Sequence, residues 1–291
     1  MQRHGYTVRA ATRRPLSFPA AVEIAAIPDL NNTVDWQPIL LDVDAIVHLA
    51  GLAHGYVAND DYSELDQVNR IATEQLASAA KEAGVGRLIF ISSVRAQIGA
   101  SSPRVISEQD EPHPTNCYGR SKLAAEQAIR AAGVPFIIFR PVVIYGPNPK
   151  GNMRTLVRLA MLPLPLPIAS FTSPRSVLGI DNLTSAIVFA LENPAAVGET
   201  YLLADSKPMT VGQILSILRD KYGRSWANLY VPQFIVKLML ALGGRSDLWA
   251  RFTGNLVVDA SKFEALGVAR GQGYRGRPAR HDPAARGKQS R

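Results

Sequence analysis

Tyr118 and Lys122 stand four positions apart in Tyr118-Gly119-Arg120-Ser121-Lys122, downstream of an apolar run that ends in Ser92-Ser93. An ammonium one helical turn from a phenol favours the phenolate, which otherwise needs a pH of about 10. Such a tyrosine can exchange protons with a carbinol or a carbonyl oxygen. The pattern points to redox chemistry at a carbon–oxygen bond. By itself the Tyr-x-x-x-Lys spacing is weak, so the elements that carry it matter.

Pro112, Pro114 and Thr115-Asn116 form a helix entry, and Leu123, Ala124, Ala125, Ala128 and Ile129 continue in helical character up to Gly133. Tyr118 and Lys122 therefore share one face. Arg87-Leu88-Ile89-Phe90-Ile91-Ser92-Ser93 reads as a buried parallel strand whose hydroxyls emerge at its carboxyl end, the edge where open α/β sheets bind ligands. Ser92 and Ser93 equally suit the plainer task of satisfying backbone groups there. Further strands are expected at Tyr6 to Ala11, before a loop with Arg13 and Arg14, at Asp44 to Gly51, and at Phe136 to Arg140, before the turn Tyr145-Gly146-Pro147-Asn148. An amphipathic helix is expected from Asp66 to Ala83. This alternation predicts an α/β fold with a doubly wound parallel sheet.

The 291 residues, 47% of them hydrophobic, supply ample core for a soluble globular protein of one or two domains. No apolar run reaches the roughly 20 residues of a membrane span, and the amino terminus shows no export segment, so a cytoplasmic protein is expected. Cys117 is the only cysteine. It excludes an internal disulfide and a cysteine-based metal site, and reads as a small residue at a helix start. No metal site is predicted. The formal charge of +8 is concentrated at one end: Arg270 to Arg291 hold six arginines and Lys288 against Asp282. The folded part has no basic stripe, so nucleic acid is not an expected partner. His48 reads as a core histidine ending a strand, while His54 falls in the loop facing the ligand edge.

Taken together, His48-Leu49-Ala50-Gly51, Val68-Asn69, Ile91-Ser92-Ser93, Tyr118 to Lys122, Arg140-Pro141 with Tyr145-Gly146-Pro147, and Arg175 to Asp181 occur in an order that resembles the extended short-chain dehydrogenase/reductases. The likeness is to the NAD-dependent epimerase/dehydratase group of nucleotide-sugar epimerases, dehydratases and 4-ketoreductases, and covers roughly residues 5 to 267. It implies a Rossmann-like dinucleotide-binding domain over 1–150, a mainly substrate-binding part over 151–267, and a basic, disordered tail over 268–291. Within the second part the Leu-Pro run at 162–167 reads as an extended connection. Thr200 to Leu203 and the helix after Thr210 are expected to return to the main sheet.

The resemblance implies Tyr118 as general acid or base, with Lys122 lowering its pKa and holding the ribose hydroxyls of the nicotinamide half. It implies Ser93 on the reacting oxygen, Ser92 on the cofactor side, and Asn69 supporting the active-site helix, a residue that also suits a helix cap. Ala50, Gly51 and Pro141 would line the cofactor, and Asn152 and Arg175 would contact the diphosphate of a nucleoside-diphosphate sugar. Arg175 could instead pair with Asp181. Thr12-Arg13-Arg14 suits a ribose 2′-phosphate, which favours NADP over NAD and hence net reduction. The implied reaction is 4-keto reduction or 4-epimerisation. A dehydratase fits less well, because Val94-Arg95 follow Ser93 where that subclass has acidic residues. A homodimer through the Tyr118 helix and its predecessor is also implied.

Two departures stand out. The family's opening strand and Gly-x-x-Gly-x-x-Gly turn have no counterpart here, and that strand lies centrally in the family's sheet. The expectation is therefore that Met1 is internal to a longer gene product. The alternatives are a catalytically inactive dinucleotide-fold binding or sensor protein, or a truncated product. At the other end, Arg, Gly, Pro and Ala without periodicity replace the family's last helix.

Overall fold

A computed structural model describes residues 5–14, 18, 21–53, 62–149, 151–224, 229–242, 244 and 253–267. The chain begins with β1 (Val8–Thr12), β2 (Val22–Ala26), α1 (Gln37–Leu40) and β3 (Ala45–His48). One long helix follows in three joined parts: α2 (Tyr62–Leu65), a π-helical segment (Asp66–Ile71) and α3 (Ala72–Glu82). Then come β4 (Arg87–Ile91), α4 (Val94–Gln97), α5 (Cys117–Ala132), β5 (Phe136–Pro141) and β6 (Val143–Tyr145). The remainder holds α6 (Gly151–Ala160), β7 (Pro174–Arg175), β8 (Val177–Gly179), α7 (Ile180–Glu192), β9 (Thr200–Leu203), β10 (Met209–Thr210), α8 (Val211–Lys221), α9 (Gln233–Leu242) and a last short helix at Ser261–Glu264.

The main sheet has the order β3-β4-β5-β9, and every pairing in it is parallel. Successive side chains of its strands point to opposite faces, and both faces are covered. Leu88, Phe90 and Ile138 pack with Leu76, Ala80 and Ile129 from α3 and α5. Ile89, Ile137 and Phe139 pack on the other side with Leu183, Ile187 and Ala190 of α7, together with Phe263. Such double covering is why β4 and β5 are unbroken apolar runs. Each of these large side chains contributes about 1.5–3 kcal/mol by leaving water.

β1 and β2 form a separate parallel pair, and among the described residues no ladder joins β1 to β3. The link is made by a side chain. Arg9 Nη1 donates to the carbonyls of Ile39 at 2.8 Å and Leu41 at 2.7 Å, in the turn that leads into β3. Its Nε lies 2.8 Å from Glu23 Oε1 on β2. β2 itself is a strand that periodicity misses, since it is short and its core-facing residues are only half-buried.

The region after β5 pairs β6 with β8 and β7 with β10. β9 does return to the main sheet, beside β5. The helix after Thr210 does not. Val211 and Leu215 of α8 instead meet Met153, Leu156 and Phe171, because their apolar stripe matches that of α6. The Leu-Pro run at 162–167 is held by a fully buried arginine of α8: Arg219 donates to the carbonyls of Leu162 at 3.3 Å and Leu164 at 2.9 Å.

Candidate active site

β4 ends at Ile91, which places Ser92 and Ser93 at the carboxyl edge of the sheet. Ser93 is extended and caps α4, its Oγ accepting the Arg95 amide at 3.1 Å. α5 starts with the same device, Asn116 Oδ1 accepting the Gly119 amide at 2.8 Å, and stops at Gly133 with φ 70°. A Cβ on Gly119 would fall 2.2 Å from the Arg95 carbonyl oxygen. The glycine inside Tyr-Gly-Arg-Ser-Lys thus lets α5 press backbone to backbone on α4. That contact brings the Tyr118 phenol beside Ser93, on the same cavity.

Burial holds the pKa of Tyr118 above its ordinary value of 10.0, with the neighbouring Ser93 hydroxyl and the Arg95 charge offsetting only part of the rise. This differs from the expectation that Lys122 does the lowering. Lys122 Nζ donates to the Ile91 carbonyl at 2.8 Å and lies 4.1 Å from the centre of the Phe90 ring. Burial lowers its pKa to about 7, against the opposing charge of Glu126. So in this arrangement Lys122 itself titrates near neutrality, and Arg95 is the cation that acts on the phenol.

A cavity of about 280 Å³ opens in front of these groups, lined among others by Ala50, Gly51, Ser93, Tyr118, Lys122 and Pro141. Gly51 has φ 153°, and a Cβ there would meet Asn69 Oδ1 at 2.8 Å. Asn69 is not a helix cap. It sits fully buried in the π-helical segment, donating to Ser121 Oγ at 2.9 Å and to the Leu52 carbonyl at 3.0 Å while accepting the Leu52 amide at 2.8 Å. One side chain therefore ties the loop after β3 to α5. His48 is a core residue: its Nε2 lies 2.9 Å from Thr73 Oγ1, its ring stacks on Phe90, and burial with the nearby Lys122 charge lowers its pKa to about 3.

Ser92 lines the same cavity. Its hydroxyl donates to Glu126 Oε1 at 2.5 Å, within a buried network that the sequence reading did not single out. Arg140 Nε and Nη2 grip the same carboxylate at 2.9 and 2.5 Å, and Nη1 donates to Gln97 Oε1. Gln97 then donates to the Asp110 carbonyl at 2.6 Å. Glu126 lies one turn beyond Lys122 on the inner face of α5, and that spacing was its available signal.

The remaining expected residues are more scattered. Arg13 is exposed and paired with Asp29, and the backbone of Arg14 donates to Thr12 Oγ1 at 3.3 Å. Arg175 Nη2 lies 3.4 Å from the Ala100 carbonyl, and Asp181 is not among its partners in the described residues. Asn152 lies in the first turn of α6, its side chain outside the described residues, as are His54 and the tail over 268–291. Among the described residues no group of His, Cys, Asp and Glu is arranged to hold a metal, and no helix is long and apolar enough to cross a membrane.

A parallel sheet covered on both faces, with serine, tyrosine and lysine at its carboxyl edge facing a cavity, has its open groups where α/β sheets of this kind bind their ligands. The model of the NAD dependent epimerase/dehydratase family matches residues 1–204, and the chain belongs to that family. It is similar to a UDP-glucose 4-epimerase of Vibrio cholerae, 32% identical over 273 residues that make up 90% of this chain and 82% of that one. Among solved structures it is similar to MoeE5 in complex with UDP-glucuronic acid and NAD, with a TM-score of 0.73, 22% identity, and coverage of 94% of this chain and 88% of that one. A UDP-glucuronic acid 4-epimerase from Bacillus cereus in complex with NAD gives a TM-score of 0.66 at 21% identity, over 86% and 76% of the two chains.

By family the protein is an NAD(P)-dependent enzyme of the epimerase/dehydratase type. The residues present fit the nicotinamide–ribose end of such a cofactor. At Gly51 the backbone is bare where a side chain would collide with Asn69, and Lys122 offers an ammonium in the same cavity.

Proposed function

We propose that the protein acts at a sugar carbon of a nucleoside-diphosphate sugar, by 4-keto reduction or 4-epimerisation, through Ser93, Tyr118 and Lys122. The observation that carries this reading is that Ser93, Tyr118, Lys122 and Gly51 line one cavity at the carboxyl edge of the sheet.

In this reading Ser93 holds the reacting oxygen. Tyr118 gives that oxygen a proton when a carbonyl is reduced and takes one when a hydroxyl is oxidised. A bound nicotinamide dinucleotide supplies or accepts the hydride. Lys122 holds ribose hydroxyls and, with its lowered pKa, can pass a proton towards or away from the phenol. Ala50, Gly51 and Pro141 line the cofactor, with Asn69 fixing the loop beneath it. Arg13 and Arg14 reach a 2′-phosphate once Arg13 releases Asp29, which favours NADP over NAD. Asn152 and Arg175 meet the diphosphate. The assembly is a homodimer through α5 and α3.

The test is Tyr118→Phe, assayed for interconversion of UDP-glucose and UDP-galactose and for reduction of a 4-keto nucleotide sugar with NADPH. Turnover should fall about 10²- to 10⁴-fold while ligand binding persists. Turnover equal to that of the wild type would remove Tyr118 from the mechanism.

A further inference from the structure

The lobe built on α6, α8 and α9 buries a small core of its own, yet most of the large apolar side chains left exposed among the described residues belong to it. α9 shows this most plainly. Its Val236 joins that core, while Phe234, Leu238 and Leu242, each one turn beyond the last, form a stripe on the far face that is 72%, 57% and 82% exposed. Lys237 flanks the stripe and is exposed as well. The apolar surface continues onto the chain before α9. Tyr230 is 72% exposed, and the Leu229 amide donates to the Leu166 carbonyl at 2.9 Å, which lays this segment along the Leu-Pro run where Leu162 and Leu164 also face water. Polar bonds fix the backbone from beneath: Ser170 Oγ donates to the Val231 carbonyl at 2.5 Å, Gln233 Nε2 to the Ser170 carbonyl at 3.1 Å, and Arg219 to the carbonyls of Leu162 and Leu164. A patch of this size, held in place and turned outward, marks an interaction surface. Its charge names the partner. Over 151–171 and 211–242, Arg154, Arg158, Arg219, Lys221, Arg224 and Lys237 stand against Asp220 alone. A second copy of the chain is a poor match, because a two-fold contact sets the same cations against each other. An anionic surface with an apolar interior fits both features.

We infer that α9, with the Leu229–Tyr230 and Leu162–Leu164 segments, docks the protein on a bilayer of anionic phospholipid. The Phe234, Leu238 and Leu242 stripe enters the acyl boundary, Tyr230 sits at the level of the headgroups, and the cations of the lobe meet their phosphates. With 10 residues α9 is too short to cross a bilayer and suited to lying in its surface. None of these residues lines the cavity of the candidate active site, so the inference stands apart from the proposed reaction.

Co-sedimentation of the full chain with sucrose-loaded vesicles tests this, using equal parts of phosphatidylglycerol and phosphatidylcholine against phosphatidylcholine alone. Wild type should partition onto the mixed vesicles about tenfold or more above the neutral ones, and rising salt should weaken that partition. Phe234→Ser/Leu238→Ser should lose about tenfold or more of it while melting as wild type does, since both side chains already face water. If the double variant melts lower, Leu242→Ser, at the exposed end of the helix, carries the test with the same expected direction. Lys237→Glu keeps the stripe and should lose about fivefold. Ile24→Ser, at a side chain 50% exposed on β2 and outside the lobe, should change nothing. Equal partition of wild type onto both kinds of vesicle, or none onto either, overturns the inference. So does unchanged binding by Phe234→Ser/Leu238→Ser, which would assign the attraction to the arginines beyond Gly267. Analytical ultracentrifugation without lipid supplies the last arm: a wild-type dimer that the same double variant splits into monomers would give the surface to a second copy of the chain.

Discussion

β5 and β3 belong to one sheet, separated only by β4, yet they are held differently. β5 is hydrogen-bonded along both edges, to β4 and β9, and is buried from Ile137 to Pro141. β3 pairs only with β4 among the described residues, and His48 alone of its four residues is buried. The first strand backs the wall of the cavity that carries Ser93, Tyr118 and Lys122; the second leads into its floor at Ala50 and Gly51. The wall is fixed by backbone ladders, core and a buried ion pair. The floor relies on individual polar side chains, Arg9 below β3 and Asn69 above it.

The sharpest way to break that contrast is to damage the wall. Glu126→Ala leaves Arg140 buried without its carboxylate, and should cost about 3–5 kcal/mol in urea denaturation. A cost below about 1 kcal/mol would mean that the wall stands without the pair.

A second, intermediate effect uses pH. Below about 7 Lys122 is charged in both the native and the unfolded chain, and its burial weighs fully against folding. Between about 7 and its ordinary 10.5, the native state has released a proton that the unfolded chain still binds, so native stability rises with pH. The rise attributable to this one group approaches about 1.4 kcal/mol per pH unit. Lys122→Met should be more stable than wild type at pH 7, with the difference between the two proteins shrinking as pH climbs to 9.5. A difference independent of pH would show that Lys122 titrates outside that window.

The smallest effect belongs to the floor. Arg9→Ala should cost about 1 kcal/mol, since the side chain is partly solvated. Native-state hydrogen exchange should quicken in β1 and β3 while β5 amides keep their protection. Equal quickening in β5 would show wall and floor to open as one unit, erasing the comparison.

How much of this was legible in the sequence follows the same division. β4 and β5 announce themselves because covering on both faces demands unbroken apolar runs, and α5 because Asn116 and Gly133 bracket it. β2 is short and largely exposed, so no periodicity marks it. Tyr118, Ser93 and Gly51 were readable through spacing and residue type. Arg95 was not, because its charge acts on Tyr118 only once Gly119 lets α5 press against α4. The bond from Ser92 to Glu126 was hidden for a related reason, since the two meet only when α5 packs on β4.

The π-helical segment at Asp66–Ile71 gives the site a counted length. A π turn takes up one residue more than an α turn, so the helix on either side runs out of phase with a continuous α-helix by one position. Losing Arg70 or Ile71 would restore a regular helix and leave α3 packed as before. It would also swing Asn69 by about 100° around the axis, away from Leu52 and Ser121. The number of residues between Asn69 and Ala72 thus acts as a dial whose present setting aims one amide at the loop after β3, and a deletion harmless to the fold would mis-set that loop.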